Sequence, residues 1–227
     1  MLALAVSWLG ITIGESLASV STRMGDPVAT AHDPQLDKFV YLTEDGNAFV
    51  TAIAEHGMVS GIRLWSLTNA AGKTADTFGI TLGTSDETLK AKRGKPARTG
   101  SDIDGPFEAY QDGDTLWLYH LRGDQSVSSI TLSTSESALA ESAAQPLPAV
   151  HSGRSRADAI RVVQPDSAAV QRFEQMYLAI HPCPGGGTWH IAKTVRQDGV
   201  DVVSTSCNPS GAAQTWYFTP EGPSFPR

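Results

Sequence analysis

The strongest constraint in this chain is a pattern that occurs twice. Gly10, Ile11, Thr12, Gly14, Ser16, Gly25 and Pro27 recur as Gly79, Ile80, Thr81, Gly83, Ser85, Gly94 and Pro96, each 69 residues later and without a gap. Seven identities at a single offset, most of them glycine or proline, point to self-similarity, which ranks ahead of local propensity in deciding an architecture. Each stretch reads as strand, tight turn, short helix and tight stop. Leu9, Ile11 and Ile13, like Phe78, Ile80 and Leu82, alternate with small or polar residues in the period of a strand. Gly14 and Gly83 suit a backbone turn where a Cβ would clash. Thr84 to Glu87 has the form of a capping box, and Ser16 serves the first stretch as a cap. Gly25 and Gly94 suit the left-handed position past a helix end, with Pro27 and Pro96 preventing continuation.

Turn-separated β segments follow each stop. They cover residues 39–42, 48–53 and 59–67 after the first and 107–110, 116–121 and 127–132 after the second, with Asp45-Gly46 and Asp112-Gly113 as hairpin turns. The offset slips by one or two residues here, indicating a small deletion between the stretches. The fold class expected is α+β: two tandem units, each a short helix plus an antiparallel sheet, over 7–68 and 76–133. A Ser/Ala/Pro-rich linker over 134–158 and a small α+β unit over 159–227 complete the chain. In that last unit Asp166 or Ser167 caps a helix with Val170, Phe173, Tyr177 and Ile180 on one stripe. Three strands are expected after it, over 189–195, 200–206 and 215–218.

The run of Ile-Thr-(Ile/Leu)-Gly-x-Ser, short helix, Gly-(Asp/Lys)-Pro and strand meander resembles the domain of the small lipoproteins of the bacterial outer-membrane barrel-assembly machinery. It is also similar to the tandem unit of secreted β-lactamase inhibitor protein. The resemblance covers residues 8–133. It implies a helix-plus-sheet fold, an envelope or secreted setting and a protein partner. No cysteine lies near the N-terminus for lipid attachment, and the inhibitor's disulfide cysteines have no counterpart in these stretches.

Composition excludes some classes. The net charge of −7, with scattered Lys and Arg, lacks the basic stripe of a nucleic-acid groove. The apolar run from Met1 to Leu9 is too short to span a bilayer, and Ala3-Leu4-Ala5 fits the small-x-small pattern before a signal cleavage point. Residues 1–6 therefore read either as a signal remnant, with the mature chain beginning near Val6, or as an extension of the first strand. Periplasmic or secreted localisation is the expectation.

Chemistry concentrates near the only two cysteines, Cys183 and Cys207. An even count inside one small exported unit reads first as a disulfide. His181, Cys183, His190 and Cys207 also supply zinc-ligand types, but without the close cysteine spacing of a structural site, and no metal site is assigned. A Cys183 nucleophile with His190 as base is the enzymatic alternative, a secreted or periplasmic hydrolase. Gly185-Gly186-Gly187 lacks the Lys-Ser/Thr and the helix of a phosphate loop. No cofactor is expected. Trp65, Trp117 and Tyr119 read mainly as core or sheet-face residues and, as the alternative, as aromatic candidates for an interaction surface, while His120 reads as a packed or rim residue of its strand. The function expected is a non-catalytic, exported protein-binding or envelope-assembly module whose partner is another protein.

Overall fold

The structure, a computed structural model, describes residues 6–32, 36–66, 73–102, 104–134, 150–181, 183, 186–222, 224 and 225. The signal-like residues 1–5, residue 185 of the glycine run, most of the expected linker and the end of the first expected unit lie outside them. The elements are β1 (Ser7–Trp8), β2 (Ile11–Thr12), α1 (Leu17–Met24), β3 (Ala29–His32), β4 (Asp37–Leu42), β5 (Phe49–Glu55) and β6 (Met58–Trp65), followed by α2 (Asp86–Arg93), β7 (Arg98–Asp102), β8 (Gly105–Asp112), β9 (Thr115–Leu121) and β10 (Val127–Thr134). After these come β11 (Ile160–Val163), α3 (Ser167–Ile180), β12 (Thr188–Gln197), β13 (Val200–Asn208) and β14 (Ala213–Glu221).

The expected α+β class with separate helix-plus-sheet units is corrected. Among the described residues the protein is mostly β, with 52% strand against 17% helix. The β strands that follow both glycine-bearing stretches enter one eight-stranded antiparallel sheet in the order β3-β4-β5-β6-β10-β9-β8-β7, while β1 and β2 pair only with each other. The physical reason lies in β6 and β10. Each would be a long, apolar edge in a separate unit, and each instead pairs with the other from Trp65↔Ser129 to Gly61↔Ser133. The chain divides into two compact units. One takes in Met1–Leu17, Ala31–Thr43 and Asn47–Pro146, the other Ala18–Thr30, Glu44–Gly46 and Leu147–Arg227, so most of α1 belongs with the C-terminal residues rather than with the strands that follow it.

In the first unit, alternation along the strands sends one set of side chains into the core. Phe39, Ile62, Leu64, Tyr119, Ile130 and Leu132 show no exposed surface. Trp117 anchors this face: Trp8 and Phe78 meet its ring edge-on at centroid distances of 5.3 and 6.0 Å. Trp8 stands at the end of the β1–β2 hairpin, whose turn residues Leu9 and Gly10 both have positive φ, 55° and 74°, and its Nε1 donates to the Ala75 carbonyl at 3.2 Å. Buried Asp76 ties this layer to the sheet. Its carboxylate accepts from the Phe78 and Ile80 amides at 2.8 and 2.9 Å and from the Tyr119 hydroxyl at 2.5 Å, and burial, then that bond, push the Tyr119 phenol well above its ordinary range.

The glycines named from sequence do turn the chain: Gly14, Gly25, Gly83 and Gly94 have φ of 88°, 83°, 85° and 77°. Gly14 donates to the Val59 carbonyl and Gly83 to the Val127 carbonyl, both at 2.8 Å, so each turn docks at the start of a central strand. The capping box is displaced by one residue. Ser85 is the cap of α2, its hydroxyl accepting from the Thr88 amide at 3.3 Å, while Thr84 Oγ1 accepts from the Thr81 amide at 3.0 Å and closes the preceding turn.

In the second unit α3, capped by Asp166 through the Ala169 amide at 2.8 Å, is followed by the meander β12-β13-β14. Strand β11 joins the sheet edge parallel to β14, giving the order β11-β14-β13-β12. Phe173 and Tyr177 of α3 meet Phe218 edge-on at 6.4 and 5.7 Å, and Tyr177 also meets Trp216 at 5.9 Å. Cys183 and Cys207 are disulfide-bonded, 24 residues apart, a closure that stabilises by about 3 kcal/mol on the chain-entropy estimate.

Gly25 and Gly94 are not interchangeable. A Cβ on Gly25 would lie 2.8 Å from the Arg161 carbonyl oxygen and 3.1 Å from the Val163 amide, whereas one on Gly94 meets nothing within 4 Å. Gly94→Ala is expected to cost about 1 kcal/mol, from positive φ alone, and Gly25→Ala distinctly more, because β11 must also shift. Equal losses in denaturant unfolding would contradict this.

Candidate functional site

The polar cluster with the most chemistry lies at the β7 end of the eight-stranded sheet, in the first unit. Strand β9 alternates Trp117 and Tyr119 into the core, which turns its even-numbered neighbours to the opposite face. His120 is on that opposite face yet only 3% exposed. Two cross-strand neighbours confine it: Ser129 of β10 and Phe107 of β8 are both in register with it. Ser129 Oγ lies 3.1 Å from His120 Nδ1, and the Phe107 ring meets the imidazole edge-on at 5.9 Å. The other ring nitrogen, Nε2, faces the Asp102 carboxylate, 3.1 and 3.0 Å from its two oxygens.

Asp102 ends β7, and the turn that follows brings Asp104 beside it. The Asp104 amide donates to Asp102 Oδ1 at 2.9 Å, the geometry of an Asx turn. Arg63 of β6 completes the network, donating to Asp104 Oδ2 at 2.9 Å and to Ser129 Oγ at 3.2 Å. The hydrogen bond from His120 holds the Asp102 carboxyl below its usual range against the opposing effect of desolvation; the Asp104 amide and the charges of His120 and Arg63 add to the lowering.

Ser129, His120 and Asp102 have the residue types of a hydrolytic triad, but the arrangement does not perform that chemistry. Ser129 is 2% exposed and already accepts from Arg63, so an acyl carbonyl has no approach to its oxygen. The cluster's remaining capacity is coordination. One imidazole nitrogen and two carboxylates lie with their ligand atoms all within 4.8 Å of one another.

The sequence-derived sites fall elsewhere. Trp117 and Tyr119 are 2% and 0% exposed and are core residues, the main reading of their alternation, so neither side chain is open to a partner. Trp65 is half-buried, stacked on Phe49 at 4.6 Å, with Nε1 donating to Thr51 Oγ1 at 2.9 Å. Cys183 and Cys207 occupy each other, which removes the thiolate needed for a Cys183/His190 nucleophile or a zinc site containing both sulfurs. His120 was singled out only as a packed or rim residue, and Asp102 and Asp104 not at all. The signal was weak, since Asp-Ile-Asp-Gly before a strand reads as a turn, and the histidine that completes the set lies on another strand.

A second buried polar group sits in the second unit. Glu174 of α3 is 1% exposed, and its Oε1 has no hydrogen-bond partner. It lies beside Asp201 of β13, which is held bidentately by Arg196 of β12 at 2.7 and 2.6 Å. Burial, then the Asp201 charge and the hydrogen bond between the two carboxyls, push the Glu174 carboxyl up from an ordinary 4.5 to about 8, with Arg196 opposing.

No protein-family model and no curated relative matches this chain. Among solved structures it is similar to a cysteine-rich secretory protein of Staphylococcus aureus, at 10% identity and a TM-score of 0.42, covering 58% of this chain and 47% of that one. It is also similar to a DUF4309 family protein of Bacillus subtilis, at 18% identity and a TM-score of 0.43, covering 57% of this chain and 87% of that one. The chain thus spans about half the length of the staphylococcal protein. Scores this low establish neither a shared fold nor a shared activity.

The buried Glu174 sets a pH dependence of known sign. Its folded-state value lies above the ordinary one, so its contribution is fully present below the ordinary carboxylate range and is lost as pH rises toward about 8. Wild-type unfolding free energy is expected to decline across that window, and Glu174→Gln, which keeps a polar group beside Asp201 without titrating, to decline less. Superimposable pH profiles would contradict this.

Proposed function

We propose that this is a non-catalytic protein-binding module that works in an oxidising, exported setting. The observation that carries the reading is the half-exposed second face of the eight-stranded sheet. Val40, Ile53, Trp65, Phe107, Leu116 and Leu118 stay partly open to solvent on it, while Phe39, Ala52, Leu64, Glu108, Trp117 and Tyr119 on the other face are buried. Apolar and aromatic side chains held on rigid strands suit a partner that presents apolar side chains of its own. The disulfide supports the setting, since such bonds persist in oxidising compartments, and no helix among the described residues is long and apolar enough to cross a membrane. The resemblance of residues 8–133 to the barrel-assembly lipoprotein domain and the β-lactamase inhibitor unit points to the same class of work, recognition of another protein.

A photo-cross-linking residue placed at Leu118 and, as control, at exposed Glu87 of α2 tests this in an extracytoplasmic fraction. A discrete adduct from position 118, competed away by unmodified protein, is expected. No adduct at 118, or the same adducts at both positions, would contradict the reading.

A further inference from the structure

We propose that Asp102, Asp104 and His120 form a binding site for a divalent transition-metal ion of the zinc class, a property separate from the protein-binding reading above. Three features carry it. The donor set, one imidazole nitrogen and two carboxylates, is among those that such ions accept. The separations fit as well. His120 Nε2 and the Asp102 oxygens are 3.0 and 3.1 Å apart in their hydrogen bond; adjacent ligands about 2.1 Å from a tetrahedral ion lie about 3.4 Å apart, so an ion that replaces the proton between them needs a separation only a few tenths of an ångström wider. The Asp104 carboxylate falls within the same 4.8 Å cluster.

The third feature lies outside the ligand set. Ser129 Oγ engages Nδ1, the nitrogen that does not face the carboxylates, and Phe107 closes one edge of the ring. Metal-bound histidines are characteristically held in this way, by a partner on the far nitrogen that fixes the ring and directs the other lone pair at the ion. Arg63 takes Asp104 Oδ2 and leaves Oδ1 available. With Arg63 counted, the two carboxylates leave the pocket one negative charge in excess, which a divalent cation reverses to one positive. Asp102 and Asp104 have side chains 42% exposed, so the ion can enter from solvent and keep a position for water or for an outside ligand.

Titration calorimetry of the full chain with zinc, and absorption spectroscopy with cobalt(II) in its place, test the site at neutral pH. One equivalent is expected. The Asp102→Asn/Asp104→Asn variant, altered only at exposed side chains, is expected to lose about tenfold or more in affinity together with the cobalt d–d bands. Altering an unrelated exposed histidine, His190→Ala, should change neither readout. Absence of zinc binding to the wild type, or undiminished binding to the double-Asn variant, would overturn the proposal.

Discussion

The pairing of β6 with β10 is the interaction on which the larger unit depends. Its register places Ile62 opposite Leu132 and Leu64 opposite Ile130, and all four side chains are fully buried. Backbone hydrogen bonds and apolar burial therefore coincide on the same residues. Separate the two strands, and each four-stranded half would present a long apolar edge to water, the state that natural sheets avoid. The edges that remain are of another kind. β7 is Arg-Thr-Gly-Ser-Asp, exposed at every position, and β3 has only four residues. Short, polar edges end the sheet where apolar ones would have extended it.

The same pairing builds the polar cluster. Arg63 on β6 and Ser129 on β10 meet across the central seam, and Ser129 in turn orients His120 on β9. A metal-ligating set at the β7 end of the sheet is thus braced from its middle. The second unit shows the contrary economy. There Glu174 is buried beside a carboxylate that Arg196 already pairs with, and burial with the Asp201 charge raises its proton affinity rather than making a second ion pair.

Local turn chemistry was legible in the sequence because it depends on single residues. Four glycines that turn the chain at positive φ were read from their place in the repeated pattern, the disulfide from an even cysteine count in one small unit, and the strands of the meanders from alternation between turn signals. Fold class was not legible, for a reason visible in β6 and β10: a strand at the end of a meander looks the same whether its second neighbour lies in its own unit or in the next. Strands β3, β7 and β11 escaped notice because they are short, and β7 carries no apolar alternation. Alternation also separates the two faces of β9 without saying which is inside. Leu116 and Leu118 are as apolar as Trp117 and Tyr119, and only the layer formed by Trp8, Phe78 and Ile80 decides. Asp102, Asp104 and His120 share no sequence spacing that marks them, since an antiparallel ladder brings them together.

Native-state hydrogen exchange across the eight-stranded sheet tests the central claim most directly. If β6 and β10 form the seam of one cooperative sheet, their paired amides should exchange only through the global opening of that unit, with the same free energy as amides in β5 and β9. Two distinct opening free energies, one shared by β4, β5 and β6 and another by β8, β9 and β10, would show two independently folding halves and contradict the single sheet.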